Sequence, residues 1–157
     1  MHNIDEFKVL LFLDFDGVLH PSINAGKSNF RSLPLLEDLL RQHPEVGIII
    51  SSGWRDHYSF EELTGYFSED MRPRIVATTR SVLESGARSR GGEIADYLRV
   101  NKERRPYIVL DDSRLEFPSG CKHVLFCDPR HGFDEKNAKL LAARIKQLLI
   151  GKLCASP

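Results

Sequence analysis

Five short apolar runs constrain the fold of this 157-residue chain more than any other feature of its sequence. The runs are rich in Val, Ile, Leu and Phe, show no clean alternation with polar residues, and cover 8–13, 46–50, 74–77, 107–110 and 123–127. Runs of this kind are typical of strands that are buried on both faces of a parallel sheet. The sequence therefore predicts a five-stranded sheet that other elements cover on both sides.

Helical patterns lie between these runs. Apolar residues recur at helical spacing over 33–42, 60–67, 93–100 and 133–150, and the last helix has Asp134 as its expected N-cap and Gly151 as its expected stop. The alternation of strands and helices indicates an α/β protein with a Rossmann-like, doubly wound and mainly parallel sheet. Ligands bind beyond the carboxyl ends of such strands, so the polar residues that follow each run are the candidates for a site.

Composition and charge narrow the cellular setting and the partners. Lys plus Arg and Asp plus Glu number 22 each, and this balance argues against a general electrostatic affinity for nucleic acid or for an anionic membrane. The three cysteines lack CxxC spacing, so we expect neither a disulfide framework nor a zinc site. No apolar stretch approaches the ~20 residues of a membrane span, and the N-terminus lacks a signal-peptide pattern. We expect a single domain over 1–157 in the cytoplasm.

Two carboxylates follow the first apolar run directly. Asp14 and Asp16 are two residues apart, so their side chains point the same way from an extended segment, and Gly17 then permits a sharp turn. Two like charges held this close repel each other and persist only where a cation or a shared proton offsets the repulsion. The spacing therefore indicates a cation site at the end of the first strand.

Further polar residues follow the other runs. Ser51 and Ser52 come after the second run, and Asp111 and Asp112 come after the fourth. Each of these alone is a common turn former or helix cap. Together, and at one edge of a parallel sheet, they favour a metal-dependent site for phosphoryl transfer.

The order of these motifs resembles the haloacid dehalogenase (HAD) superfamily of phosphatases. The residues that carry the resemblance are DFDGVL at 14–19, an apolar run followed by Ser, a basic residue ahead of a helix, and an apolar run followed by Asp-Asp. More narrowly, residues 51–55, 90–94 and 128–133 resemble motifs of the small capless members, such as the HAD domain of RNA-repair-like proteins.

The resemblance implies a Mg²⁺-dependent phosphatase that acts through an aspartyl-phosphate. Asp14 would be the nucleophile, and Asp16 would protonate the leaving group and then activate water. Asp14, Asp111 and Asp112 would bind Mg²⁺ together with Asp16, whose backbone carbonyl faces the metal in the family. Whether Asp111 or Asp112 is the direct ligand stays open, with Asp112 preferred.

The resemblance also implies a phosphate-binding hydroxyl and a basic residue. Ser51 is the expected hydroxyl, and Ser52 is the alternative. The family's usual lysine is missing, because no lysine occurs between Lys27 and Lys102. Arg90 is therefore the expected replacement, although Arg88 and Arg80 are alternatives, and arginine is not a neutral substitute for lysine.

Two residues beyond the second motif are expected to bind substrate. Trp54 either stacks on a ring of the substrate or packs under the following helix. Arg55 either binds a second phosphate or pairs with Asp112 or Asp128. His20 and His131 belong to loops at the same edge, and we assign them no role.

The short connections leave no room for a cap domain, and residues of about 18–32 are expected to form a flap. The phosphorylated substrate is then either a macromolecular end or a small molecule, and nucleic acid is possible but not favoured by the net charge. Two other hypotheses compete. A receiver-type signalling domain does not fit the order of the motifs, whereas a catalytically weak or silent HAD-fold binding domain remains the alternative.

Overall fold

The computed structural model describes residues 4–22 and 30–154 and contains a five-stranded parallel sheet. The strands run in the order β3-β2-β1-β4-β5, with bounds of Val9–Leu13 for β1, Val46–Ile50 for β2, Ile75–Thr78 for β3, Tyr107–Asp111 for β4 and Val124–Phe126 for β5. All four strand pairs are parallel. The predicted Rossmann-like α/β class is confirmed.

The α-helices of the described residues alternate with the strands. Their bounds are Leu33–Arg41 for α1, Phe60–Gly65 for α2, Val82–Ser85 for α3, Arg90–Val100 for α4 and Glu135–Cys154 for α5. The predicted start of α4 at residue 93 was wrong, because the Ser89 hydroxyl accepts a hydrogen bond from the Gly92 N–H at 3.1 Å and so caps a helix that begins at Arg90. The predicted stop at Gly151 was also wrong, since α5 continues to Cys154.

The start of α5 agrees with the sequence. The carboxylate of Asp134 accepts a hydrogen bond from the Asn137 N–H at 2.9 Å, as an N-cap does. The short helix α3 was not predicted, although Ser81 and Glu84 form a reciprocal capping box at its start. The sequence contains the matching Ser-x-x-Glu motif, which could have predicted this helix start.

The apolar core lies on both faces of the sheet. Val9, Leu11 and Leu13 of β1 belong to one buried cluster, which includes residues of α1 and α5. Leu10 and Phe12 belong to a second cluster with residues of α4, where the Phe12 and Tyr97 rings meet edge to face at 5.5 Å. Burial on both faces explains why β1 shows no polar alternation.

The strand register brings three strand ends level with one another. Leu13 of β1 pairs with Ile50 of β2 on one side and with Leu110 of β4 on the other. The next residues along these three strands are Asp14, Ser51 and Asp111. The chain leaves β1 for β2, whereas β4 lies on the opposite side of β1, so the cleft between β1 and β4 is the switch point of the sheet.

The segment predicted to form a flap, about 18–32, is described at its two ends. Val18 and Leu19 are fully buried, and the Val18 carbonyl accepts a hydrogen bond from the Phe133 N–H at 2.7 Å. The Leu19 carbonyl accepts another from the Ser32 N–H at 3.0 Å. Both ends of the segment therefore belong to the folded body, while 23–29 lies outside the described residues.

Candidate active site

Three carboxylates converge at the carboxyl edge of the sheet. Asp14 follows β1, Asp111 ends β4, and Asp112 comes directly after it. One ligand oxygen of each lies within 4.8 Å of those of the other two. Oxygens on opposite sides of a bound Mg²⁺ lie about 4 Å apart, because its metal–oxygen distances are about 2.1 Å. The three side chains thus have the donor chemistry and the spacing to hold one hard divalent cation.

Burial makes this convergence costly without a cation. Burial raises the pKa of Asp14 well above its ordinary value, although the Arg90 guanidinium opposes the rise and the charge of Asp111 adds to it. Burial likewise raises the pKa of Asp111 to about 6, and the pKa of Asp112 is raised for the same reason. Asp111 Oδ2 is buried and has no hydrogen-bond partner among the described residues. These properties fit a site that a cation completes.

Gly17 allows Asp112 to approach the first loop. A Cβ atom at Gly17 would lie 2.1 Å from Asp112 Oδ2, and the backbone φ of +74° is one that other residues rarely adopt. Both observations explain the glycine directly after the Asp14-x-Asp16 pair. The sharp turn and the close carboxylate need the same small residue.

Arg90, at the start of α4, lies beside the carboxylates. Its Nη1 donates a hydrogen bond to the Ser51 carbonyl at 2.7 Å. Its Nη2 is 3.8 Å from Asp14 Oδ1, and its Nε is 3.7 Å from Asp111 Oδ2. These longer separations are ion pairs without a hydrogen bond. Arg90 therefore lies within ion-pairing distance of both Asp14 and Asp111, and its replacement of the family's lysine stays a prediction.

The two alternative arginines lie elsewhere. Arg80 makes a bidentate ion pair with Asp96, with both nitrogen–oxygen distances at 2.9 Å. Arg88 is exposed at the rim of the cleft and, among the described residues, makes no ion pair. Of the three arginines, Arg90 is the one whose guanidinium contacts Asp14.

The two serines after β2 have different surroundings. Ser51 is buried, and its Oγ has no hydrogen-bond partner among the described residues. Ser52 is also buried, but its Oγ accepts a hydrogen bond from the Trp54 N–H at 3.3 Å and caps the 3₁₀ helix Gly53–Asp56. The Ser51 hydroxyl is thus buried and unpartnered among the described residues, whereas Ser52 has a local structural role.

Asp16 lies apart from the three convergent carboxylates. Its Oδ1 is 2.7 Å from His20 Nε2, and its Oδ2 accepts a hydrogen bond from Trp54 Nε1 at 3.0 Å. Its side chain remains 55% exposed. The carboxylate of Asp16 is therefore exposed to solvent and lies outside the group of Asp14, Asp111 and Asp112, although Asp16 was predicted as a metal ligand. The predicted contact of its backbone carbonyl with the metal stays a prediction.

Trp54 packs within a cluster of aromatic rings. Tyr58 stacks against its indole at 5.3 Å between ring centroids, and Phe15 meets it edge to face at 5.7 Å. The indole also lies against the main apolar core. Packing and the hydrogen bond to Asp16 account for Trp54 without a stacked substrate ring.

Arg55 has a different partner from either one expected. Its Nη2 donates to Glu93 Oε1 at 2.7 Å, and its Nη1 donates to the Ser52 carbonyl at 2.8 Å. Asp128 pairs with Arg130 instead. The predicted pairing of Arg55 with Asp112 or Asp128 was therefore wrong, and burial of the guanidinium leaves substrate binding by Arg55 without geometric support.

A cleft of about 420 Å³ opens onto these residues. Its lining includes Asp14, Asp16, Arg88, Arg90, Asp111 and Asp112. The lining is mostly polar or charged. The exposed residue Val82 of α3 also borders the cleft.

Sequence reasoning missed two residues of the site. Glu93 is buried and joins Arg55 to Arg90, whose Nη1 is 3.9 Å from Glu93 Oε2. The sequence signal for Glu93 is its position as an acid on the apolar face of the helix, next to Ile94 and Tyr97. His20 contacts Asp16, and its signal is an i, i+4 spacing on a tight loop, which is too common to have singled it out.

The parallel sheet and the acidic cleft at its switch point agree with a HAD-type protein of the hydrolase superfamily, and the family comparison shows this class. A family model described as "HAD domain in Swiss Army Knife RNA repair proteins" matches residues 10–138. The chain belongs to this family, because the match covers most of its length. Neither a curated protein nor a solved structure gives a match to the chain.

Two further findings concern the setting of the protein. Within the described ranges, no helix has the length and apolar character needed to cross a bilayer. Cys121 and Cys127 are free thiols, and burial raises the pKa of Cys127 to about 12. The cytoplasmic setting stays a prediction.

Proposed function

We propose that this chain is a Mg²⁺-dependent phosphatase that hydrolyses phosphate monoesters through an aspartyl-phosphate on Asp14. The observation that carries the proposal is the buried convergence of Asp14, Asp111 and Asp112 next to the guanidinium of Arg90. Burying like charges destabilises the folded protein, so such a group is usually retained for a function. Carboxylates with a perturbed pKa in a cleft are a common property of active sites.

The proposed reaction has two steps. A carboxylate oxygen of Asp14 attacks phosphorus, the bond from phosphorus to the leaving oxygen breaks, and the carboxyl of Asp16 gives its proton to that oxygen. Asp16 then takes a proton from a water molecule whose oxygen attacks the same phosphorus. The bond between Asp14 and phosphorus breaks, which releases inorganic phosphate and leaves Asp16 protonated again.

The neighbouring groups support the orientation of the nucleophile. Asp14 Oδ1 accepts a hydrogen bond from the Phe15 N–H at 2.8 Å, which fixes the plane of the carboxylate. Arg90 has two nitrogens that make no hydrogen bond to the nearby carboxylates and can donate to phosphoryl oxygens. The unpartnered hydroxyl of Ser51 is a further donor for those oxygens.

Mg²⁺ fits the oxygen donors of Asp14, Asp111 and Asp112, and when bound it would neutralise the charge that builds up on the phosphoryl group. Asp16 is half exposed and lies outside this set of carboxylates. Its placement supports proton transfer rather than metal ligation through its side chain.

Hydrolysis of p-nitrophenyl phosphate tests the proposed function. We expect turnover with Mg²⁺, none after EDTA treatment, and a loss on the order of 10³-fold or more in Asp14→Asn. Asp38→Asn is the matched control, because Asp38 is an exposed carboxylate on α1 that pairs with Arg41. A folded wild-type protein without metal-dependent turnover, or an Asp14→Asn variant with full turnover, would contradict the proposal and favour the silent binding domain.

We further propose that the substrate carries its phosphate at the end of a larger molecule. The cleft is open at the protein surface, and the described residues contain no cap domain above it. The family is named for RNA repair proteins, so phosphorylated RNA ends are the first candidates to screen. Small phosphorylated molecules are the alternative, and we expect no membrane partner.

A further inference from the structure

We propose that His20 and Trp54 are positioning residues that hold the carboxylate of Asp16 for proton transfer to the leaving group. The inference rests on the proposed function, in which Asp16 is the proton donor. It adds a specific task for a histidine and a tryptophan that belong to different parts of the chain. The two side chains and Asp16 are called the Asp16 clamp below.

The clamp engages both oxygens of the carboxylate. His20 Nε2 lies 2.7 Å from Oδ1, and Trp54 Nε1 donates to Oδ2 at 3.0 Å. Bonds to two different oxygens fix the direction of the side chain and the plane of the carboxylate together. A half-exposed aspartate without them would sample several rotamers.

His20 is held firmly enough to act as one side of the clamp. Its side chain is buried, and its backbone carbonyl accepts a hydrogen bond from the Gly17 N–H at 2.8 Å. When Asp16 is ionised, between its two proton transfers, its carboxylate only accepts hydrogen bonds, so we assign the ring proton of His20 to Nε2. Nδ1 then carries the lone pair, which agrees with its lack of a partner among the described residues.

Trp54 forms the other side of the clamp from the loop after β2. Ser52 caps the short helix that carries Trp54, and Arg55 ties the same helix to Glu93. Phe15 and Tyr58 pack against the indole. The indole N–H is therefore fixed in place by contacts that do not involve Asp16.

The clamp keeps the proposed proton donor, Asp16, apart from the proposed nucleophile, Asp14. Because both oxygens of Asp16 already accept hydrogen bonds, its carboxylate is held apart from the group of Asp14, Asp111 and Asp112. Asp14 stays with the cation ligands, and Asp16 is presented to the cleft, which it lines. A proton donor that is poorly placed matters most when the leaving group is a poor one.

The first experiment compares leaving groups in Trp54→Phe. The variant keeps an aromatic ring and loses the indole N–H. We expect the ratio of kcat/KM for phenyl phosphate to kcat/KM for 2,4-dinitrophenyl phosphate to fall about tenfold or more, since kcat/KM reports the step in which the leaving group departs and only the phenolate of the first ester needs protonation. His20→Gln keeps a side-chain N–H donor, and we expect it to keep more of this ratio than His20→Leu.

Tyr58→Phe is the matched control. Tyr58 belongs to the same aromatic cluster but makes no hydrogen bond to Asp16 among the described residues, so we expect the ratio to match that of the wild type. An equal loss of kcat/KM on both esters in Trp54→Phe would indicate a merely structural or binding role. That result, or an unchanged ratio, would overturn the proposal.

A second measurement does not depend on activity. Trp54 is the only tryptophan of the chain, so ¹⁵N-labelled protein gives a single indole N–H signal in NMR spectra. We expect Asp16→Ala to shift this signal upfield and to speed its exchange with solvent. An unchanged signal would show that the clamp does not form in solution. A clamp seen by NMR in a protein without phosphatase turnover would instead overturn the proposed function and with it the role in proton transfer, while the contacts of the clamp would stand.

Discussion

At the residue scale, Asp111 shows how burial and charge act on one side chain. Its pKa is raised from an ordinary 3.8 to about 6, chiefly by burial. Between these two pH values the folded protein holds a proton that the unfolded chain releases. Stability of the metal-free protein therefore falls as the pH rises through this window, and the cost at neutral pH is on the order of 3 kcal/mol.

The first prediction follows from this linkage. Without metal, Asp111→Asn should be more stable than the wild type at pH 7.5, and this advantage should shrink as the pH falls towards 4. Carboxylates with a lowered pKa, such as Asp96 and Asp128, change the stability only at a pH below that window, so they do not affect this comparison. Urea unfolding of both proteins at several pH values, in EDTA, checks the result. A variant that is less stable at every pH would contradict it.

Ser51 and Ser52 give a second prediction, which separates catalysis from folding. Ser51→Ala should leave the free energy of unfolding nearly unchanged, because its Oγ has no protein partner among the described residues, and should lower kcat/KM about tenfold. Ser52→Ala removes a helix cap and should cost about 1 kcal/mol of stability. Steady-state kinetics and thermal unfolding of both variants decide between the two serines. The reverse pattern would assign the phosphate-binding hydroxyl to Ser52.

The sequence predicted the residues of the acidic site more fully than their neighbours. Asp14 and Asp111 were found because each directly follows an apolar run, and a position after a parallel strand implies a shared edge of the sheet. The pairing of Arg55 with Glu93 could not be found in this way. These residues are far apart in sequence, and their contact depends on how α4 packs beside the loop after β2.

At the element scale, the loop after β1 depends on Gly17. The loop must turn at a positive φ and also leave space for Asp112 from the end of β4. An alanine there would incur about 1–2 kcal/mol of backbone strain and would displace the Asp112 carboxylate. The loop and the strand end are thus fitted to each other.

A third prediction separates the effect of the contact between Gly17 and Asp112 from the effect of backbone strain. Gly17→Ala should weaken Mg²⁺ binding at least about tenfold, because it displaces a cation ligand. Gly120→Ala is the control, since Gly120 has a similar φ of +75° but open space around its Cβ position. Titration calorimetry with Mg²⁺ compares the two variants. Equal affinities in both would mean that Asp112 is not needed to bind the cation.

The elements themselves were predictable where their sequence signal was strong. All five strands were found, because buried parallel strands give uninterrupted apolar runs. The start of α4 was missed since Gly91 and Gly92 are poor helix formers, and the Ser89 cap together with Arg90 overrides their low propensity. The end of α5 was missed because one glycine, Gly151, does not stop a helix of 20 residues.

At the scale of the whole molecule, the site lies in an open cleft at the sheet's switch point. The short connections after β1 and β3 predicted the absence of a cap, and the described residues contain none. Arg88 and Val82 border the cleft on the side of α3 and α4. Among the described residues no element covers this cleft, and this supports the proposal of a substrate with a large leaving group.

The fourth prediction concerns substrate size. We expect kcat/KM for a terminal phosphate on an oligonucleotide or a peptide to equal or exceed that for the corresponding monomer. Phosphate release from both members of each pair, measured under one set of conditions, checks this. A strong preference for the monomers would indicate that the site closes around small molecules, and it would contradict the proposal of macromolecular substrates.

The most direct test of the central claim is to trap the phosphorylated enzyme. The protein is mixed with an aryl phosphate and Mg²⁺, quenched in acid during turnover, digested, and examined by mass spectrometry. The account predicts a phosphate on Asp14, absent with EDTA and absent in Asp14→Asn. Turnover without any phosphorylated residue, or with the phosphate on a different residue, would contradict the account.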